Sequence, residues 1–306
     1  MDSRSTEDYV DARNIGRAVV TVISEGILPW PPDYQAPEVE WRAEVPEADE
    51  NGVVPLGALI VHIQTPEASI IVDPGFDDPD SDWQQRYAKQ SPGLTRTAGM
   101  AAALASIGVS PEEVAYVLIT HTHSDHYCGV TQDRDGGTTL RFPNARHYVG
   151  RGDWEGALDR EQADSDLSQR IGLVEQAGLL VMVDEETEVA PGVAIIPAPG
   201  ESPGHCIVRL RSEGETFYYV GDLYHHACEV AHPDWSPSNR DQAANIRSRE
   251  SLAEEAVPAD ATIVFTHESF PAGARSNAPP WARTTVGRRT GRDGRRTPSR
   301  RRERAR

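Results

Sequence analysis

The sequence predicts an α+β domain in which two mixed β-sheets carry helices on their outer sides. Runs of β-branched residues follow one another early in the chain, and strands alternate with helices only afterwards. A doubly wound parallel sheet would alternate strands and helices from the start. We divide the 306 residues into an N-terminal extension (1–16), one domain (17–281) and a tail (282–306).

The first half of the chain supplies most of the predicted strands. Strands are expected at "RAVVTVISEG", "GALIVHIQ", "ASIIVDPG" and "VAYVLIT". The acidic, Pro-rich residues 29–52 are interpreted as a loop between the first two. A helix at "TRTAGMAAALASIG" should end at Gly108. Ser110, Pro111 and Glu113 then form the pattern of a capped short helix.

The second half of the chain is predicted to contain both strands and helices. A short strand and two helical stretches are expected within residues 144–180. Strands at "LLVMV" and "GVAIIPA" precede a hairpin that turns at Glu213 and Gly214. The polar helix "NRDQAANIRSRESLAEEAV" leads into a last strand, "ATIVFTH", which ends on His267.

Charge is distributed unevenly along the chain. The formal net charge is −18, but residues 282–306 hold eleven arginines against two acidic residues, a net of +9. The remainder therefore carries −18 − 9 = −27. A body this acidic repels nucleic acid and anionic membranes. The basic tail has no apolar periodicity, so we expect it to be disordered.

Composition also indicates a cytoplasmic protein. The N-terminus "MDSRSTEDYV" lacks the basic and apolar regions of a signal peptide, and no apolar run is long enough to span a bilayer. Cys128, Cys206 and Cys228 do not make a disulfide framework and suit a reducing compartment. We expect a small-molecule substrate and no nucleic-acid or membrane partner, and a homodimer is compatible with the sequence.

One stretch, "THTHSDHYCG", places three histidines and an aspartate within residues 121–126. In an extended segment, His121 and His123 project to the same side and can hold one ion. Asp125 and His126 lie just beyond and can reach a second ion. His205, Asp222 and His267 each stand at an expected strand end. Ions roughly 3.5–4 Å apart need a bridging group, and the two oxygens of Asp222 suit that role.

The combined motifs resemble the metallo-β-lactamase superfamily over residues 17–275. They are "HTHSDH", "DPG" at 73–75, "PGH" at 203–205, "GD" at 221–222 and the strand-final His267. The resemblance implies an αββα sandwich with a dinuclear metal site at one edge. It assigns the first metal to His121, His123 and His205, the second to Asp125, His126 and His267, the bridge to Asp222, and an orienting role outside the ligand set to Asp73. Two divalent ions are implied, with Zn²⁺ expected first and Mn, Fe or Co as alternatives.

Such a site would act as a hydrolase. A divalent ion lowers the pKa of bound water from 15.7 to about 7, so metal-bound hydroxide can attack a carbonyl or phosphoryl group. Asp125 could also accept a proton, although ligation competes with that role. The sequence resembles the branch of methyl parathion hydrolases and acyl-homoserine lactonases, which implies an ester, lactone or phosphotriester substrate. A glyoxalase II-like thioesterase and a β-lactamase are alternatives, and a non-catalytic metal protein is a weaker one.

Several other residues have two interpretations. His225 stands three residues after the bridging aspartate, where the lactonases have a tyrosine. It could donate a proton or hydrogen bond to the leaving group or oxyanion, or be only structural. Glu201 stands where relatives often have a histidine, and we expect it near the pocket mouth. Packing roles are favoured for a set of cysteine, aromatic and histidine side chains: Cys128, Cys206, Phe142, Tyr148, Trp154, His226 and His232.

Overall fold

The computed structural model describes residues 9–134, 137–158 and 165–271. The Arg-rich segment 282–306 therefore lies outside the described residues, and its expected disorder stays a prediction. Within the described residues, no helix is both long and apolar enough to cross a membrane.

The larger sheet has eight strands within the described ranges. They are β1 (Val10–Ile15), β2 (Ala18–Trp30), β3 (Val54–Gln64), β4 (Ser69–Val72), β5 (Thr95–Arg96), β6 (Val114–Ile119), β9 (Arg146–Gly150) and β10 (Leu180–Val183). Their order is β1-β2-β3-β4-β6-β9-β10, with β5 paired to β2. The strands from β1 to β4 pair antiparallel, whereas β4, β6, β9 and β10 pair parallel. The sheet is therefore mixed, as the sequence predicts.

The smaller sheet comes from the later part of the chain. Its strands are β11 (Thr187–Ala190), β12 (Val193–Pro197), β13 (Cys206–Ser212), β14 (Glu215–Tyr219) and β15 (Thr262–Val264), in that order. Neighbours pair antiparallel except β14 and β15, which are parallel. The hairpin between β13 and β14 turns at Glu213 and Gly214, both with positive φ. A separate hairpin joins β7 (Thr131–Arg134) to β8 (Gly137–Leu140).

Eight α-helices occur in the described part of the chain. They are α1 (Glu38–Glu44), α2 (Asp82–Gln90), α3 (Met100–Ser106), α4 (Ser124–Tyr127), α5 (Arg151–Leu158), α6 (Asp166–Gln176), α7 (Cys228–Ala231) and α8 (Gln242–Ala256). Short 3₁₀ turns occur at Pro111–Glu113, Cys128–Val130 and Gly221–Leu223. In the first of these turns, the backbone N–H of Ser110 donates to Glu113, as the capping pattern predicts.

Three apolar clusters hold these layers together. Facing side chains of the two sheets, such as Val61 and Phe217, form the central core. Trp83 of α2 and Ile171 of α6 pack against the outer side of the larger sheet, and Leu252 of α8 packs against the smaller sheet. The layers thus follow the order helix, sheet, sheet, helix, which confirms the predicted αββα sandwich.

Three elements differ from the sequence prediction. Residues 95 and 96, which we placed at the start of a helix, form the short strand β5, and α3 begins only at Met100. Residues 10–15, which we placed in an extension, form β1 and pair with β2 through a turn at Gly16, so the sheet begins before residue 17. Residues 38–44, which we placed in a loop, form α1. This helix is stabilised by burying Trp41 among the aromatic rings of Tyr34 and Trp235.

Candidate metal centre

The expected ligands converge at one edge of the sandwich. Residues 121–126 follow β6, Asp222 follows β14, and His267 follows β15. His205 differs from expectation because it directly precedes β13 instead of ending a strand. Since β13 runs antiparallel to β14, the start of β13 lies at the edge where β14 ends. Separate parts of the sequence therefore meet at this edge.

The first group contains four side chains whose donor atoms all lie within 4.8 Å of one another: His121, His123, Glu201 and Asp222. His121 Nε2 lies 2.7 Å from His123 Nδ1 and 3.7 Å from Asp222 Oδ2. His123 Nδ1 lies 3.4 Å from Glu201 Oε1. Glu201 is thus a member of this group, and sequence reasoning had placed it only near the mouth.

The second group contains Asp125, His126 and His267, again within 4.8 Å of one another. Asp125 Oδ2 lies 3.6 Å from His126 Nε2 and 3.5 Å from His267 Nε2. Asp222 connects this group to the first one, because its Oδ1 lies 3.3 Å from His126 Nε2 and its Oδ2 lies 3.2 Å from His267 Nε2. The Asp222 carboxylate therefore lies between the two groups.

Three histidines are oriented by hydrogen bonds from Nδ1. His205 donates to the carbonyl of Ala198 at 3.0 Å, and His267 donates to that of Gly57 at 2.8 Å. A carbonyl oxygen can only accept, so Nδ1 must carry the proton in both rings. In the neutral ring, Nε2 then keeps its lone pair, which is the form that binds a cation.

Asp73 orients the third of these rings. Its Oδ2 lies 2.7 Å from His126 Nδ1, and its two oxygens accept hydrogen bonds from the N–H and the hydroxyl of Thr120, each at 2.7 Å. Asp73 has φ of +46°, a region that non-glycine residues rarely occupy. These bonds hold the aspartate in that conformation directly beneath the histidine cluster.

His205 lies beside the first group but outside it. Its ring centroid is 5.3 Å from that of His121, and its Nε2 accepts a 3.2 Å hydrogen bond from the N–H of Asp222. Gly221 is required at this point, because a Cβ there would lie 2.8 Å from His205 Nε2 on a backbone with φ of +53°. Six of the seven expected ligands thus fall in the two groups, and His205 adjoins them.

The charge states follow from burial and from the carboxylates. Burial lowers the pKa of His121 and of His205, so both rings are neutral. Burial would also lower the pKa of His126 and raise that of Asp222. The neighbouring carboxylates, Asp222 first, outweigh burial and raise the pKa of His126, whereas the charges of His267 and His126 outweigh burial and lower the pKa of Asp222. Asp222 therefore stays ionised between imidazoles.

The donor set fits divalent cations. Among the described residues, His126 Nε2 and Asp222 Oδ1 are buried and have no hydrogen-bond partner. Leaving such atoms unsatisfied is costly, and a cation would satisfy both. Imidazole nitrogens combined with carboxylate oxygens suit Zn²⁺ and similar first-row ions.

His225 lies at the border of both groups. Its Nε2 is 3.6 Å from Asp222 Oδ2 and 3.7 Å from Glu201 Oε2. Its ring stacks between Trp30 and His267, at centroid distances of 5.1 and 5.7 Å. Burial opposes protonation, but Glu201 and Glu229 raise the pKa of His225 to about 9. The ring is therefore protonated at neutral pH.

Sequence reasoning missed Asp153 at the start of α5. Its carboxylate accepts hydrogen bonds from the N–H of Thr122, the hydroxyl of Ser202 and the N–H of Gly204, at 3.0, 2.8 and 2.6 Å. It thereby joins the loop of His121 and His123 to the loop that carries Glu201 and His205. No motif marks this residue, so only the folded chain identifies it.

The remaining candidates have packing roles. Cys128 and Cys206 are buried free thiols, and Phe142, Tyr148 and Trp154 are buried in the apolar clusters. His226 pairs with Glu47, and His232 stacks on Trp235. These contacts agree with the structural interpretation of each residue.

The fold and the facing groups of imidazole and carboxylate donors define a metal-binding αββα protein. The sequence profile of the Metallo-beta-lactamase superfamily matches residues 53–267, and the chain belongs to this superfamily. It is accordingly a hydrolase, and the expected resemblance to the lactonase-like branch is confirmed.

Known relatives include both sequences and structures. N-acyl homoserine lactonase AttM of Azorhizobium caulinodans is 28% identical over 229 residues, covering 69% of this chain and 80% of that protein. A probable metal-dependent hydrolase from Staphylococcus aureus has a TM-score of 0.71 at 23% identity, covering 83% of this chain and 91% of that one. AidC, a dizinc quorum-quenching lactonase, has a TM-score of 0.68 at 19% identity, covering 86% and 92%. At these identities the structural likenesses bear on the fold alone.

Proposed function

We propose that this hydrolase is dinuclear and cleaves an ester, lactone or phosphotriester bond in a small molecule. The observation that carries the proposal is the position of Asp222, whose carboxylate lies within 3.3 Å of His126 Nε2 on one oxygen and faces both His121 and His267 with the other. A carboxylate between two groups of donors is suited to bridge two ions. The N-acyl homoserine lactonase relatives favour a lactone among the three substrate classes.

The proposed ligand set follows the sequence prediction. It assigns the first ion to His121, His123 and His205, the second to Asp125, His126 and His267, and the bridge to Asp222. Asp73 orients His126 through its Nδ1. Divalent ions bound there would acidify a water molecule and polarise the bond to be cleaved. Zn²⁺ is the first candidate, and Mn, Fe and Co also suit these donors.

His225 is proposed as the proton donor to the leaving group. In the metal-free protein its pKa is raised to about 9, it is buried, and its ring is held between two aromatic neighbours. A general acid needs a proton to give and a fixed direction in which to give it. Asp125 could accept a proton in the same cycle, although a bound ion would compete for its oxygens.

A substrate panel tests this function. The full chain is stripped of metal, reconstituted separately with Zn²⁺, Mn²⁺ and Co²⁺, and assayed on N-acyl homoserine lactones, aryl esters and a phosphotriester. Thioesters and nitrocefin test the glyoxalase II-like and β-lactamase alternatives. We expect metal-dependent turnover on at least one of the first three classes. Turnover restricted to thioesters or nitrocefin, or absent with every metal, would overturn the proposal.

A further inference from the structure

Glu201 is a buried carboxylate without a hydrogen-bond donor. Its side chain is 0% exposed, and neither of its oxygens has a hydrogen-bond partner among the described residues. Arg240 Nε lies 2.6 Å from Oε1, yet this nitrogen is also without a hydrogen-bond partner, so the N–H does not point at the oxygen. An ionised carboxylate is expensive to bury unless something satisfies it. The contact with Arg240 balances its charge and leaves its lone pairs free.

The free oxygens of Glu201 face the first group of donors. Oε1 lies 3.4 Å from His123 Nδ1, and Glu201 can offer an atom within 4.8 Å of donors on His121, His123 and Asp222 alike. His205, which the family pattern assigns to the first ion, instead directs Nε2 towards the N–H of Asp222 at 3.2 Å. In this arrangement Glu201 therefore lies closer to the donors of the first group than His205 does.

We propose that Glu201 is a further ligand of the first metal ion, in addition to His121, His123, His205 and Asp222. This rests on the metal centre of the proposed function and adds a ligand to it. A second carboxylate makes the donor set harder than three imidazoles and one carboxylate alone. Glu201 should therefore raise the affinity for harder ions such as Mn²⁺ relative to the affinity for Zn²⁺.

Arg240 supplies a test of the alternative, in which Glu201 serves only as a partner for this arginine. Arg240 is 18% exposed on its side chain, at the solvent side of Glu201. If the pair were merely structural, removing either partner would have a similar effect. If Glu201 binds the ion, Arg240 competes with the ion for the same carboxylate. Removal of Arg240 should then leave metal affinity unchanged or raise it.

The experiment compares five full-length proteins: wild type, Glu201→Gln, Glu201→Asp, Arg240→Gln and His205→Gln. Each is stripped of metal and titrated with Mn²⁺ and Zn²⁺ by calorimetry, and with Co²⁺ by visible absorption. Substitution of partners that only orient ligands already costs about 10–100-fold in metal affinity. We therefore expect Glu201→Gln to lose at least about tenfold in affinity for Mn²⁺, to lose less for Zn²⁺, and to alter the Co²⁺ spectrum. Arg240→Gln should not lose affinity.

Two results would overturn the proposal. One is a Glu201→Gln protein that binds Mn²⁺ as the wild type does while His205→Gln does not. The other is an equal loss of affinity in Glu201→Gln and Arg240→Gln. Circular dichroism and thermal melting of the metal-free proteins identify misfolded variants. Glu201→Asp keeps the negative charge and should therefore retain part of the metal affinity. A wild type that binds two ions but hydrolyses nothing would refute the proposed function while leaving this assignment intact.

Discussion

At the scale of single residues, Asp222 has a position that no other acidic side chain of the centre shares. One oxygen faces His126 and the other faces His121 and His267. Glu201 reaches only the first group, and Asp125 belongs to the second. Loss of either of those two should therefore weaken one site, whereas loss of Asp222 should affect both.

Asp222→Ala should accordingly lower the metal content below one ion per chain and abolish turnover. The reason is that the remaining histidines would face two cations without a shared negative charge. Metal analysis after gel filtration, together with the substrate panel, measures both effects. Asp80→Asn, an exposed aspartate, is the control and should keep its metal. An Asp222→Ala protein with two ions and full activity would refute the bridging role.

His225→Ala separates proton donation from metal binding. If His225 protonates the leaving group, kcat should fall on the order of 10²-fold while both ions stay bound. The fall should be greatest for substrates with poor leaving groups, since these need the proton most. His226→Gln alters the adjacent histidine, which pairs with Glu47 outside the centre, and should leave kcat unchanged. Equal kcat for His225→Ala and wild type on every substrate would assign the ring a structural role.

At the scale of elements, the centre depends on loops that are tied to one another and not only to their strands. Asp153 at the start of α5 accepts hydrogen bonds from both ligand-bearing loops, near residues 122 and 204. Asp73 ties the end of β4 to the start of the histidine loop through Thr120. The carboxylates of Asp153 and Asp73 each connect two segments of the chain by hydrogen bonds and so restrict their relative motion.

Asp153→Asn should therefore loosen the centre without removing a ligand. The amide oxygen of asparagine can accept the hydrogen bonds now made to one carboxylate oxygen. Its NH₂ group would take the place of the other oxygen and would face an N–H or O–H donor, which it cannot accept from. We expect a loss of about 1–3 kcal/mol in the free energy of unfolding and a drop of about 10–100-fold in metal affinity. Urea unfolding and calorimetric titration of the metal measure the two quantities. If metal affinity stayed at the wild-type value, the idea that Asp153 aligns the two loops would be wrong.

Sequence reasoning located the loops that carry the proposed ligands but not every contact between them. The group at residues 121–126 is recognisable because its members are adjacent in the chain and the spacing of two matches an extended segment. The approach of Glu201 and the orientation of His205 depend on how residues 199–205 curve between β12 and β13, which no local pattern encodes. Strand β1 was missed because "VDARNI" is polar, and α1 because prolines surround it. Burial of Trp41 by distant rings outweighs that local signal.

At the scale of the whole molecule, the buried histidines divide into two kinds. Those of the centre face carboxylates. His62 on β3 and His147 on β9 have none, since His62 Nε2 contacts the hydroxyl of Ser69 and His147 Nδ1 donates to the carbonyl of Ala145. Burial lowers the pKa of each of these two rings to about 4. Neither histidine is among the proposed ligands. Because both are buried with lowered pKa values, they make the free energy of unfolding depend on pH.

Stability should therefore fall as the pH drops from about 6.5 to about 4, because the unfolded chain binds protons at these two positions in that range while the folded chain does not. Above about pH 6.5 both rings are neutral in both states and contribute no dependence on pH. Each histidine should account for a loss on the order of 1–3 kcal/mol across the window. Urea unfolding of the metal-free protein at about pH 7.5 and about pH 5 measures it. His62→Gln and His147→Gln should each lose less stability between these two conditions than the wild type, and the double variant less still. If both variants lost as much as the wild type, the acid sensitivity would have to come from other groups.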